Sequence, residues 1–229
     1  MNGLKMNRIV LFFVPALLLL SFSLQAQEDN KAMSWIASGS AKANYSIDNL
    51  DFSTTAEGTH QEINFYQSRS PFTNLFIGWH FINLDYTGEG TDSSGSLHAV
   101  DYQSQLLALS LGYDWYLAGF AHLQPYFAYG YGTSTYSATN TASDSTVTPY
   151  EEKSETADMG IYGFNLILEL TGKLWLGYAL NYFSESQVIK YDNGDAALEP
   201  QTSQTLMLVW NWEAAPIGTI DPRKNIFGF

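Results

Sequence analysis

TLMLVWNW, residues Thr205 to Trp212, decides the fold: drawn as an extended chain, it sets Leu206, Leu208, Trp210 and Trp212 on one side. Successive side chains of a strand point to opposite faces, so a period of two marks a strand and not a helix. Seven earlier segments carry the same alternation.

Strand one sets Met33, Trp35, Ala37, Gly39, Ala41, Ala43, Tyr45 and Ile47 against Ser34, Ser38, Ser40, Lys42, Asn44 and Ser46, with Ile36 out of pattern. The Trp35 side is expected to face outward and the Lys42 side inward. A short second strand runs from about His60 to Gln67. Strand three, Thr73 to Thr87, shows Leu75, Ile77, Trp79 and Phe81. Its phase then slips near Ile82, since Leu84 and Tyr86 continue the apolar side, as a bulge would produce. Strand four, Leu97 to Tyr116, alternates Leu107, Leu109, Leu111, Tyr113 and Trp115 with Ala108, Ser110, Gly112 and Asp114. Strand five starts near His122 and presents Leu123, Pro125, Phe127, Tyr129 and Tyr131. Strand six presents Tyr162, Phe164, Leu166, Leu168 and Leu170, and strand seven Leu174, Leu176, Tyr178, Leu180 and Tyr182. Strand eight ends at about Glu213.

The polar stretches Asp48 to Thr59, Gly88 to Ser96, Ala138 to Pro149 and Asp192 to Gln201 read as long loops after strands one, three, five and seven. The connections after strands two, four and six are short. Long external loops, short periplasmic turns and an even strand number are the habit of outer-membrane barrels.

Upstream, Lys5 and Arg8 precede an apolar stretch from Ile9 to Leu20 and then Ser21 to Ala26. This is the pattern of a cleavable export signal, with the cut after Ala26, leaving Gln27 to Phe229. The apolar run is shorter than the ~20 residues a spanning helix needs. The chain holds no cysteine, so an exported product cannot draw stability from disulfides. Its formal charge of −13 argues against nucleic acid as a partner.

A soluble β-protein would also alternate, but its polar face would be rich in charge. Here that face is mostly Ser, Gly, Ala and Asn, and between Lys42 and Lys153 the only Lys or Arg is Arg69. Small, weakly polar groups suit the narrow inside of an eight-stranded barrel, while Leu, Phe, Tyr and Trp suit lipid outside. Trp35, Trp115, Trp175, Trp210 and Trp212 fall near the periplasmic strand ends, Trp175 among them on the inward face, and Tyr45, Tyr86, Tyr131 and Tyr182 toward the other rim, as aromatic belts do. The fold predicted is therefore all-β: an eight-stranded antiparallel transmembrane up-and-down β-barrel over 27–213, followed by a periplasmic tail over 214–229.

In Leu107 to Trp115, Pro125 to Gly132 and Thr205 to Trp212 the chain resembles the small eight-stranded outer-membrane barrels: the OmpA transmembrane domain, the opacity proteins, OmpX and OmpW. Thr205 to Trp212 is similar to their C-terminal assembly signal, although Met207 stands where that signal prefers glycine. The resemblance implies a porin-like or OmpA-like protein of the Gram-negative cell outer membrane. Its surroundings would be outer-membrane lipid and lipopolysaccharide, with the barrel-assembly machinery as partner during biogenesis.

The inward ionisable and amide groups Lys42, Glu62, Asp114, Asn165, Glu169, Asn181 and Glu213, with His80 and His122 beside them, form a candidate lumen polar network. Buried charges must be paired or hydrogen-bonded, so an internal plug is the first expectation. A carboxylate-lined proton or cation path is the second. No catalytic, cofactor or metal residues are assigned. Lipid-A deacylases of this fold place His and Ser two apart, and here His60, His80, His98 and His122 are followed at that spacing by Glu62, Ile82, Val100 and Gln124. The acidic residues of the loops lack calcium-loop spacing. A structural or surface-interaction barrel is the expected function, with a narrow OmpW-like channel for small or hydrophobic solutes and a lipid-A-modifying enzyme as alternatives.

Overall fold

The computed structural model describes residues 31–47, 52–69, 72–118, 120–149, 153–171, 173–184, 187–191 and 194–213. The predicted export signal and the tail over 214–229 lie outside the described residues. Among the described residues eleven antiparallel strands run in order: β1 (Lys31–Ile47), β2 (Phe52–Arg69), β3 (Phe72–Thr91), β4 (Leu97–Tyr113), β5 (Trp115–Ala118), β6 (Ala121–Thr141), β7 (Val147–Pro149), β8 (Lys153–Glu169), β9 (Leu174–Phe183), β10 (Gln187–Tyr191) and β11 (Gly194–Glu213). β5 and β4 both pair with β6, as do β7 and β8, and β9 and β10 both pair with β11. Each of these pairs is one interrupted stave, which leaves eight. β1 pairs with β11 from Lys31↔Glu213 to Ile47↔Ala196, so the sheet closes on itself. Closure removes the free edges that an open sheet would present.

Directly paired antiparallel residues share a face, and this rule carries side-chain direction around the ring. Leu206, Leu208, Trp210 and Trp212 are all exposed on the outside. Their partners on β1 are Ser38, Ile36, Ser34 and Ala32. Ile36 is thus the outward residue, and Met33, Trp35, Ala41, Ala43, Tyr45 and Ile47 are buried inside. The expected direction of strand one is inverted. The register with β11 sets the phase, and Ile36, out of pattern in the sequence, also pairs with outward Ile63 on β2.

The staves are longer than the alternation suggested. β3 has 20 residues, β6 has 21 and β11 has 20. Spanning the apolar core takes about 9–11 tilted residues. The excess is accounted for by an exchange of faces along each strand. On β4 the outer face reads Leu107, Leu109, Leu111 and Tyr113 at one end, and Asp101, Gln103 and Gln105 at the other. The inner face of the same strand reads Ala108, Ser110 and Gly112, then Val100, Tyr102 and Leu106. β3 does likewise: Ile77 and Phe81 outside give way to Asp85, Thr87 and Glu89, while Leu84 and Tyr86 turn inward. The predicted bulge at Ile82 is absent. Pairing with β4 runs unbroken from Leu75↔Tyr113 to Thr91↔Leu97, and the apolar residues change side because the surroundings change.

Most of the four predicted long loops are therefore wall. β2 begins at Phe52, β3 reaches Thr91, β6 reaches Thr141 and β11 starts at Gly194. A register shift lies at Lys42↔Thr202 and Ala43↔Pro200, which skips Gln201. Proline has no N–H to give the ladder, and an irregularity is where a strand tolerates it.

Two outer tips share one construction. The Asp92 N–H donates to the Ser96 carbonyl and the Ala142 N–H to the Thr146 carbonyl. The turns place Gly95 and Ser145 at φ of 86° and 70°. Glycine takes that conformation at no steric cost; Ser145 does not. The Asp92 carboxylate accepts from the Ser94 hydroxyl at 2.6 Å and from the Ser94 and Ser96 N–H groups at 2.8 and 3.0 Å, and lies 2.9 Å from His98 Nε2. The Ser94 hydroxyl first and then His98 hold its acid well below the ordinary aspartate range. A depressed folded value adds stability that is complete above the ordinary value, about 4, and is lost only as pH falls through the folded one. Hydrogen exchange at the Ser94 and Ser96 amides should accordingly show protection unchanged from neutrality down to about pH 4. Loss of protection already at pH 5 to 6 would contradict this.

Candidate functional site

Alternation delivers one polar side chain per inward position, and the closed ring brings those of distant strands together. The upper cluster draws on six strands. Glu62 on β2 accepts the Trp35 indole N–H at 3.1 Å and meets His80 Nδ1, on β3, at 2.6 Å. His60 Nε2 lies 3.4 Å from the second Glu62 oxygen, close enough for charge attraction but not aligned as a hydrogen bond. The other His60 nitrogen is 2.6 Å from Ser203 Oγ on β11, which also accepts from Asn181 Nδ2 at 3.2 Å. The Tyr126 hydroxyl on β6 donates to Asn181 Oδ1 at 2.7 Å, and the His80 ring stacks on Tyr126 at 5.3 Å.

The second cluster lies toward the end where β5 and β8 meet short turns. His122 stands between two acids, with Nδ1 3.0 Å from Asp114 and Nε2 2.6 Å from Glu169. Gln124 donates to Asp114 at 3.3 Å, and Trp175 stacks on the His122 ring at 5.1 Å. The Glu169 side chain is 30% exposed, so this cluster reaches the inner mouth.

Of the expected network, Glu62, Asp114, Asn165, Glu169 and Asn181 point into the lumen. Lys42 does not. It is exposed in phase with Ser38 and Ser40, paired across strands with Glu57, because strand one is turned over. Glu213 ends β11, and its side chain lies outside the described residues. His60 and Ser203 are central and were missed. His60 stood at the edge of a stretch read as loop, yet it shares the phase of Glu62 two residues on, and that was the available signal.

The interior is filled by matching large groups to small ones. A Cβ on Gly112 would run into the Phe76 ring, and one on Gly163 would lie 2.7 Å from Tyr126. His60, Asn64, Ala108, Ala128, Ile167 and Asn181 each have no more than a trace of accessible surface. A water-wide passage would leave accessible area on its lining. Above the upper cluster, Tyr45, Tyr86, Tyr102, Leu84, Val100 and Leu198 are buried inside the projecting wall as an apolar and aromatic stopper.

Ser203, His60 and Glu62 are residue types that could serve as nucleophile, base and acid. Covalent catalysis requires a substrate carbonyl to reach the hydroxyl, and Ser203 is 1% exposed against a fully buried His60. Their geometry serves internal bonding. Among the described residues, no three or more acids and histidines are grouped to hold a metal ion.

The sequence matches no protein-family model and no curated protein. Among solved structures it is similar to Ail, the attachment invasion locus protein of Yersinia pestis, at 12% identity over 80% of this chain and 99% of that one, with a TM-score of 0.40. It is similar to the outer membrane protein OprG from Pseudomonas aeruginosa at 10% identity over 81% and 96%, with a TM-score of 0.42. Neisserial surface protein A is similar at 14% identity over 78% and 95%, with a TM-score of 0.38. At these identities no lumen residue transfers from those proteins to this chain.

Proposed function

We propose that the chain is an integral outer-membrane β-barrel that acts through its projecting wall and outer tips, in a structural or surface-interaction role, and does not work as a pore or an enzyme. One observation carries the reading: inner and outer faces exchange polarity at a common level. Below that level Leu, Ile, Phe, Tyr and Trp hold most outward positions of β2, β3, β4, β6, β8, β9 and β11, and β1 contributes Ile36 between Ser34 and Ser38, as hydrocarbon favours on a barrel exterior. Above it the outer surface is mostly carboxylate, amide and hydroxyl, with Lys42 among them, and the core has moved inside. A soluble barrel has no reason to invert halfway along its strands. Tyr113, Trp115, Trp210 and Trp212 at one rim and Tyr129, Tyr131 and Tyr182 toward the other are exposed where headgroups would lie. Trp35, Tyr45 and Tyr86, expected on those rims, are inside.

Outer-leaflet lipopolysaccharide is the proposed neighbour of the belt, and the outward aromatics of β11 support recognition by barrel-assembly machinery. The acid-rich outer wall argues for partners that are cationic or that bridge through cations. The test is electrical. Refolded into planar bilayers, the chain should give no discrete conductance steps while migrating faster on unheated gels than after boiling. Steps that vanish in Asp114→Leu or Glu169→Ala would replace this reading by the narrow channel, and recovery as a soluble species with no detergent requirement would remove the membrane assignment.

A further inference from the structure

The cluster at the inner mouth is short of positive charge. Asp114 and Glu169 share one imidazole, so two carboxylates remain one charge in excess even when His122 is fully protonated. Glu169 Oε1 lies on His122, whereas Oε2 has no hydrogen-bond partner among the described residues. No Lys or Arg nitrogen among them stands within ion-pair distance of either acid. Gln124, fully buried, gives its Nε2 to Asp114 and keeps Oε1 without a partner. An acid set in a protein wall without an opposing charge is costly, and a cation beside it relieves that cost.

The cluster is open on one side. The Glu169 side chain is 30% exposed. Tyr116 pairs with His122, which puts both on the inner face, and its ring stands edge-to-face with the imidazole at 4.8 Å. That ring is exposed, so the mouth offers a carboxylate oxygen next to an uncovered aromatic surface. A fitting partner carries a cation with apolar groups beside it.

The chain itself supplies such a segment from the same end. Glu169 shares a rung with Trp175, and Trp175 with Val209 on β11, four residues before that strand ends at Glu213. Residues 214–229 follow. They carry Arg223 and Lys224 against Asp221 alone, with Ile226, Phe227 and Phe229 close behind, and are net positive in a chain of formal charge −13. Staves spaced about 4.8 Å apart and tilted by about 40° close an eight-membered ring roughly 16 Å across. From Glu213 to Arg223 the chain can extend about 33 Å, so the two bases reach any point of the mouth with length to spare.

We propose that the C-terminal segment docks across the inner mouth of its own barrel, Arg223 and Lys224 opposite Glu169 and the stretch from Ile226 to Phe229 against the Tyr116 ring. A guanidinium suits the place, since it presents a fork of donors to the carboxylate and its flat face stacks on an aromatic ring. The tether favours this occupant over a separate molecule by holding the bases at high effective concentration. The inference goes beyond the proposed function and does not rest on it: conductance tests the pore, whereas docking is read from the position of the segment.

The chain holds no cysteine, so Asn225→Cys accepts a nitroxide label at a single site. In the full chain refolded in detergent, the label should broaden the amide resonances of His122, Glu169 and Trp175. Glu169→Gln, and separately Arg223→Ala combined with Lys224→Ala, should each reduce that broadening at least several-fold while the unheated gel shift is kept. These variants keep the tether, so the difference reports docking and not mere nearness. Should Glu169→Gln fail to fold, the double change still decides, because it leaves every described wall residue in place. Absence of broadening in the folded labelled chain overturns the proposal, and so does broadening undiminished in a folded variant.

Discussion

Glu62→Ala should destabilise the barrel by about 3–5 kcal/mol, the usual result of removing one member of a buried ionic cluster. Glu62 accepts the Trp35 N–H, meets His80 at 2.6 Å and attracts His60. Without it, Trp35 and His80 lose their common hydrogen-bond partner, His60 loses the neighbouring carboxylate, and no water from outside replaces it. The measurement is the urea midpoint of refolded protein, followed by loss of the unheated gel shift. Glu62→Gln keeps an acceptor oxygen and should recover part of the loss. A midpoint unchanged in Glu62→Ala would mean that the cluster is incidental to stability.

Leu109→Arg should cost about 2–4 kcal/mol, the range for arginine at mid-depth on a lipid-facing strand. Gln103→Arg provides the control. It lies six residues along the same strand and on the same outer face, above the exchange of polarity, and surface changes of that kind stay within about 0.5 kcal/mol. The contrast is expected in lipid vesicles. Equal costs at the two positions would show that the outer face is not divided into hydrocarbon and water levels.

How much of this was legible from sequence depends on the side of the exchange. Within the belt, alternation is strong because lipid and lumen demand opposite chemistry. Strand pairs such as Leu109/Ser110, Phe164/Asn165 and Leu176/Trp175 were therefore read in the right phase. Above the belt the demand reverses. Leu84 and Tyr86 then looked like a slip in register, although the backbone runs straight through. The stretches at 52–59, 88–91, 138–141 and 194–201 resemble loops in sequence for a related reason. Ser, Thr and Asp signal turns, but they also clothe the solvent side of a strand whose inner side holds Phe52, Ala56, Ala138 or Leu198. Strand one is ambiguous in sequence because one face mixes Trp35 and Tyr45 with Ala37, Gly39, Ala41 and Ala43 and the other is mostly serine, a pattern that fits either orientation until a neighbour decides.

The lumen was legible only in part. Counting along inward positions locates the acids, whereas the phase of strand one misplaces Lys42. The partnership of His60 with Ser203 joins residues 143 apart. No local pattern can contain it, because it exists only when β2 and β11 have both been placed.

That remoteness has a kinetic meaning. Trp212 Nε1 donates to Ser34 Oγ at 2.7 Å across 178 positions, beside the seam where the first stave meets the last. Contacts so far apart in the chain form late and slow the whole reaction, since loop entropy is lost before they can compensate it. The final hairpin therefore acts as a clasp: until it arrives, the first strand keeps a bare edge and the cylinder cannot mature. A polypeptide released before its last twenty residues of strand should linger as an open, aggregation-prone sheet.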